Sequence, residues 1–326
     1  MKNELLSVDE AADRIRSGAP VVVAGAAELM KQLPQGNWVG GTTAYFVTEN
    51  GGAVVDDKLF CTTFENAVGA TVRMVSADTL GQISDGYRDN GFTVILIPAF
   101  SKTHTEFAMT GADNVAVFDQ PLVGWITGVH LDELGSKAPQ VFDGATGAAA
   151  EDGAVLLHVE MPAGSGVDVD IVNIFDQGDE LTFKFDDNGF SAKSVNVNGA
   201  NVNLADYLIE NEIDTRLPLV ANYAGSMINV SIQNVDAEAK EVQFYAPVVA
   251  GMEYKLAAPQ ADYAAAFASS VGDSGMGQYS CNCILNYLYG ELEGKKTGKF
   301  TGPVTFGEIA YILLNQTLVK LDLKAA

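Results

Sequence analysis

Residues Phe92–Phe100, FTVILIPAF, form a near-continuous apolar run. A run of that length without alternation is what a strand buried on both faces looks like, and such a strand needs cover on each side. Flanking patterns supply candidates for that cover. Val68–Ala77 reads as another strand. Thr79–Asn90 reads as a helix capped by Asp78, although Gly81 and Gly86 weaken it. Strand, helix and strand in succession imply α/β layering.

The opening segment follows the same logic. Val8, Ala11, Ala12 and Ile15 share one helical face, and Ser7 with Glu10 three residues on forms a capping-box pattern. Pro20–Ala24 is a short apolar strand, and Ala26–Leu33 a helix ended by Pro34. In Asn37–Phe46 a strand is broken by the pair Gly40-Gly41, followed by Thr42; a glycine pair inside a strand marks a bulge or close approach of another group. Further on, Gln120–Leu131 and Gly153–Met161 read as strands separated by a Gly/Ala-rich loop, Gly144–Ala150.

Pro162–Asp168 is glycine-rich and poor in apolar residues, so a boundary is expected there, dividing the chain into residues 1–165 and 166–326. Beyond it, Asp170–Phe185 and Phe190–Val197 are expected strands joined by an Asp186-Asp187-Asn188-Gly189 turn, Asn-Gly being a strong hairpin signal. Leu204–Asn211 reads as a helix, and Leu217–Tyr223, Met227–Ile232 and Glu241–Val249 as strands. Tyr254 begins an expected edge strand, and Ala258–Val271 an Ala-rich helix. The fold class expected is α/β (α+β): two similar halves, each a mixed or antiparallel sheet flanked by helices.

Composition narrows the function classes. The 326 residues carry 19 Lys and Arg against 42 Asp and Glu, a formal net charge of −23. A surface of that sign repels duplex DNA and anionic membranes, so neither nucleic acid nor membrane is an expected partner. No stretch reaches the roughly 18 apolar residues of a membrane span. The N-terminus carries mixed charges without a signal-peptide core, and a cytoplasmic location is expected. Three cysteines, Cys61, Cys281 and Cys283, are too few for a disulfide framework, and free thiols are the default.

Candidate chemistry concentrates near the end of the chain. Gln278–Cys281 is a tight lead-in to a helix at Ile284–Leu292, and Cys281-Asn282-Cys283 lies where strand meets helix. Val304–Ile309 and Thr317–Leu323 read as strands, the second with Val319, Leu321 and Leu323 on an apolar face and Lys320 and Asp322 on a charged one. Glu308 precedes an apolar run. A carboxyl group there must be solvated, hydrogen-bonded or paired, so it either ties down backbone or faces a ligand. Cys281 and Cys283 would need two more ligands to hold zinc, and Cys61, His104, His130 and His158 are scattered singly. Neither a phosphate-binding Gly-Lys-Ser/Thr loop nor a Gly-x-Ser-x-Gly elbow occurs.

These residues carry a resemblance. Ser280-Cys281 at a helix head, Gly307-Glu308-Ile309-Ala310 and Asn315-Gln316-Thr317-Leu318-Val319, taken in order, resemble the C-terminal part of the FIST domain, a sensory domain named for F-box and intracellular signal transduction proteins. Gly40-Gly41-Thr42 is similar to a glycine-rich bend in its N-terminal part, and the resemblance spans about residues 20–323. It implies sensing of a small polar ligand such as an amino acid, with Gly40, Gly41, Thr42, Cys281, Asn282 and Glu308 as ligand-binding candidates and Glu308 close in space to Ser280–Asn282. It also implies a signalling partner such as a kinase or cyclase. No catalytic residue, metal or cofactor is expected on this reading. Two alternatives stay open: a haem-binding gas sensor using one of the three histidines, and an enzyme with Cys281 as nucleophile.

Overall fold

The computed structural model describes residues 1–223, 225–271, 279–296 and 298–324; Gln278 lies outside them. The chain is mixed α/β, with mixed and antiparallel sheets flanked by helices. It divides into two compact units. The larger comprises Met1–Val172 with Val271–Leu313 and Thr317–Ala326; the smaller comprises Asn173–Ser270 with Leu314–Gln316.

This is a different division from equal halves at residue 165/166. The reason is long-range strand pairing. Strand Tyr279–Cys283 is buried along its whole length. It pairs antiparallel with Thr317–Lys324 and parallel with Gly302–Thr305. Gly302–Thr305 in turn pairs antiparallel with Tyr45–Thr48. The C-terminal strands therefore complete a sheet begun by N-terminal ones, and hydrogen bonds between segments some 250 residues apart leave no local trace in sequence.

Two further sheets build the larger unit. In one, Val21–Gly25 lies between Leu59–Thr63 and Trp38–Thr42, pairing parallel with the latter. In the other, the apolar run forms strand Gly91–Pro98, buried throughout as expected. It runs parallel to Leu122–Thr127 and antiparallel to Ala154–Glu160. The helix Val8–Arg16 carries the Ser7/Glu10 capping box and buries Ala11, Ala12 and Ile15. Ala11 and Ile15 join a core with Val21, Val23, Met30, Trp38, Leu59 and Phe142.

The glycine pair sits inside strand Trp38–Thr42 and does not break it; the chain leaves the strand at Thr43-Ala44 and enters the next sheet at Tyr45. Alternation sends the two glycines to opposite faces. A Cβ on Gly40 would meet Met30, Trp38 and Phe142, whereas one on Gly41 would lie 2.7 Å from Thr127 Cγ2 and 3.1 Å from Trp125 Nε1. Gly41 thus lets two sheets approach more closely than a side chain would permit.

Other elements depart from the sequence reading for local reasons. Ala77–Gly86 is a 3₁₀ helix, not an α-helix over Thr79–Asn90; Gly81 and Gly86 supply little to hold regular turns. The helix expected at Ala26–Leu33 closes after Ala27–Met30, and Tyr263–Val271 starts after Pro259. Val304–Ile309 is two strands, Gly302–Thr305 and Glu308–Ala310, in different sheets. Lys320, placed on a charged face, is 3% exposed and ion-paired with Asp170 at 2.9 Å.

The smaller unit holds a six-stranded sheet, a three-stranded sheet, the helix Leu204–Glu210 and most of the helix Tyr263–Val271. Its core gathers Phe183, Phe185, Val195, Leu208, Phe244 and Tyr254. Strand Glu253–Ala257 lies between Gln177–Lys184 and Leu219–Tyr223, so it is central, not an edge.

Candidate functional site

Five of the six sequence candidates fall into two places in the larger unit, and Gly40 lies in neither. The first is a dry cluster around Glu308. Strand Glu308–Ala310 sets Glu308 opposite Trp125 in the register, and the residue is fully buried. Its Oε2 accepts from Thr317 Oγ1 at 2.8 Å and from the Thr317 backbone N–H at 3.4 Å; its Oε1 lies 3.2 Å from Thr305 Oγ1. The same Thr305 hydroxyl is 3.3 Å from the Asn282 carbonyl. The Cys283 thiol also reaches the carboxyl group.

Burial dominates the electrostatics here. Loss of solvent pushes the Glu308 carboxyl up to about 8, the threonine and Cys283 hydrogen bonds only partly opposing it. At neutral pH the group is mainly a neutral acid, able to donate to Thr305. Burial likewise holds the Cys281 thiol well above its ordinary value, with the nearby Glu308 adding to it. Cys281 Sγ donates to the Gly124 carbonyl at 3.2 Å. A thiolate nucleophile is disfavoured in such surroundings. Asn282 Oδ1 accepts from Asn286 Nδ2 at 3.0 Å. The structure therefore brings Glu308, Asn282 and Cys281 together, with Gly41 beside Trp125 and Thr127; Gly40 faces the opposite, helix-covered side.

The second place is open. Thr42 is the last residue of its strand, and there the chain is stitched to two neighbours: the Gly128 N–H donates to the Thr42 carbonyl at 2.8 Å, and the Thr43 N–H to the Gly25 carbonyl at 3.2 Å. Gly25 and Thr42 end one parallel strand pair, and Gly128 follows Thr127, which ends a strand of the other. The carboxyl ends of the Val21–Gly25 and Trp38–Thr42 pair and of strand Leu122–Thr127 thus meet at one cleft of about 660 Å³. Crevices at the carboxyl ends of parallel strands are where open α/β sheets bind ligands, because strand ends diverge there and loops supply the side chains.

Its walls set polar, mostly acidic groups among small apolar ones such as Ala27, Val54 and Val129. The polar groups include Glu28, Asp56, His130, Glu133, Lys137, Gln140 and Glu151. The His130 ring stacks on Tyr45, centroids 5.3 Å apart and planes 20° apart. His130 Nδ1 accepts from the Asp132 N–H at 3.2 Å, so in the neutral ring the proton sits on Nε2. Tyr45 is itself fixed, its hydroxyl accepting from the Leu131 N–H at 3.0 Å. Gln140 is clamped to Thr42: its N–H donates to Thr42 Oγ1 at 2.9 Å, and its carbonyl accepts from the Thr42 N–H at 3.0 Å. Of the six ligand-binding candidates, Thr42 alone lines this cleft.

The other two histidines are structural in placement. His158 Nδ1 lies 2.8 Å from Thr93 Oγ1, and His104 Nδ1 accepts from the Phe100 N–H at 3.3 Å. Burial pushes both rings down to about 4. Among the described residues, no group of three or more His, Cys, Asp or Glu is placed to hold a metal ion, and no helix is long and apolar enough to cross a membrane.

With this geometry, the match to known proteins is narrow. Residues 6–324 match DUF6976, a family of unknown function. The chain belongs to that family. Curated proteins give no match. For DUF6976 as represented by this chain, sequence reasoning missed His130 as a cleft residue and did not name Gln140, Glu151 or Asp56 as site residues. His130 stood out only as a rare histidine; the other three are polar loop or strand-edge residues with no motif around them.

Proposed function

We propose that this protein is a small-molecule-binding sensory module, cytoplasmic and signalling through a partner protein such as a kinase or cyclase, that takes a small polar ligand such as an amino acid in the cleft at Thr42, His130 and Gln140. The observation that carries the binding part is the hydrogen-bonded meeting of the carboxyl ends of Val21–Gly25, Trp38–Thr42 and Leu122–Thr127 at the cleft. The sensory part and the partner rest on the FIST resemblance of Gly307–Ala310, Asn315–Val319 and Gly40–Thr42. Glu308, Asn282 and Cys281 take the role of scaffold in this reading: they lie packed away from the cleft lining and fix strand ends behind it.

A thermal-shift screen of the full chain against amino acids, organic acids, amines and sugars tests the binding part. A true ligand raises the melting temperature by mass action. Ala138 is exposed and lines the cleft, so Ala138→Trp fills the site without touching the core and abolishes that shift. No shift from any compound, or a shift that Ala138→Trp leaves intact, overturns the assignment.

A further inference from the structure

The cleft walls are unbalanced in two independent ways. One is charge. Four carboxylates line the cleft, those of Glu28, Asp56, Glu133 and Glu151, against a single ammonium, Lys137. Lys137 pairs with Glu133 at 2.5 Å, and Glu28 pairs outside the lining with Lys31 at 2.6 Å. Among the described residues no cation pairs with Asp56 or Glu151. The second imbalance is in hydrogen bonding. Gln140 Nε2 donates to Glu151 Oε1 at 3.1 Å. That contact fixes the amide's orientation, because the flipped amide would set oxygen against carboxylate. Gln140 Oε1 is then buried and without a partner. An acceptor left so is costly, and a donor delivered to it recovers that cost.

We infer that the ligand presents an ammonium group to the Gln140 amide oxygen and the Glu151 carboxylate, so that the cleft selects cationic or zwitterionic amines over anions of the same size. This deepens the binding reading above and rests on it. An ammonium supplies several N–H donors and a positive charge, which is what an unpaired amide oxygen beside an unneutralised carboxylate lacks. Asp56 and the chain's net charge of −23 add a field of the same sign, which concentrates cations and repels anions at low salt. With Nδ1 accepting from the Asp132 N–H, the His130 ring of the wall offers Nε2–H as a neutral donor for an acceptor elsewhere on the ligand.

Three probes of matched skeleton separate the classes: L-alaninamide, L-alanine and N-acetyl-L-alanine, titrated calorimetrically into the full chain at neutral pH and low salt. L-Alaninamide should bind at least about tenfold more tightly than N-acetyl-L-alanine, and added salt should narrow the gap. Glu151→Gln, an exposed change, should weaken L-alaninamide by about tenfold with the melting temperature of the free protein unchanged, and Gln140→Leu should weaken it as much while the free protein melts no lower than the parent. Equal or tighter binding of N-acetyl-L-alanine overturns the inference. So do two variants with undiminished affinity. If none of the three binds while another compound from the screen is displaced by Ala138→Trp, the ammonium inference fails alone; if no compound binds in the cleft, the parent reading fails with it.

Discussion

The Glu308 cluster and the Thr42–His130 cleft are both polar, both in the larger unit, and differ in how their polar groups are satisfied. Around Glu308 every carboxyl oxygen has a partner within the protein, and water is excluded. Around the cleft, among the described residues, Asp56 and Glu151 have no ion-pair partner and Gln140 Oε1 has no hydrogen-bond partner. A carboxyl group with both oxygens partnered has little left to offer a ligand, although Asn282 Nδ2 and Trp125 Nε1 beside it are buried without partners among the described residues; its contribution is to specify how strands Glu308–Ala310, Gly302–Thr305 and Thr317–Lys324 meet. An incomplete set at an opening gains from being completed by something that enters.

The largest expected effect follows from removing the closed set. Glu308→Ala strips Thr317 and Thr305 of their shared hydrogen-bond partner and opens a void in a buried site. The expected loss is about 3 kcal/mol or more of folding stability, read as a shifted midpoint in urea unfolding, with the slope unchanged. A loss under about 1 kcal/mol would mean that the site collapses or hydrates easily, and the contrast with the cleft would dissolve.

Titration sharpens the same contrast with a smaller signal. The folded-state Glu308 value of about 8 lies above the ordinary 4.5, so the folded chain holds a proton that the unfolded chain releases. Stability from this group is fully present below about 4.5 and is lost as pH rises towards 8, at roughly 1.4 kcal/mol per pH unit within that window. Glu308→Gln keeps the shape and an acceptor for Thr317 but cannot ionise. Measured from pH 5 to 8, wild type should lose stability relative to Glu308→Gln. Parallel curves would show that the carboxyl group is ionised and charge-stabilised in the folded chain.

How far the sequence revealed all this depends on the range of the interactions. The Ser7/Glu10 cap and the helix behind it were legible because every partner lies within four residues. So was the doubly buried strand Gly91–Pro98, whose apolar run leaves no other solution. Glu308 was legible as an anomaly, a carboxyl group among aliphatics, and its proximity to Asn282 was an expectation of the resemblance; Thr305, the residue between them, was not singled out. The domain division was not legible, since it depends on Gly302–Thr305 choosing Tyr45–Thr48 as its neighbour. Nor was the cleft wall: Gln140, Glu151 and His130 are brought together by strand ends from two sheets, and nothing local distinguishes them from solvated surface residues.

The smallest expected effect on stability belongs to His130, and it tests the open side of the comparison most directly. The ring is about one-third exposed and contributes one aromatic stack on Tyr45 and one acceptor to the Asp132 N–H. Both partners stay satisfied without it: Tyr45 keeps its hydrogen bond from Leu131 and its edge contact with Tyr287, and the Asp132 N–H turns to water. His130→Ala should therefore cost no more than about 1 kcal/mol. If His130 Nε2–H meets the ligand, the same change should remove much of the ligand-induced rise in melting temperature, and His130→Asn, which restores a donor of similar reach, should recover part of it. A variant that unfolds several degrees lower yet binds as before would place His130 with Glu308, as a strut, and leave Gln140 and Glu151 as the polar groups that meet the ligand.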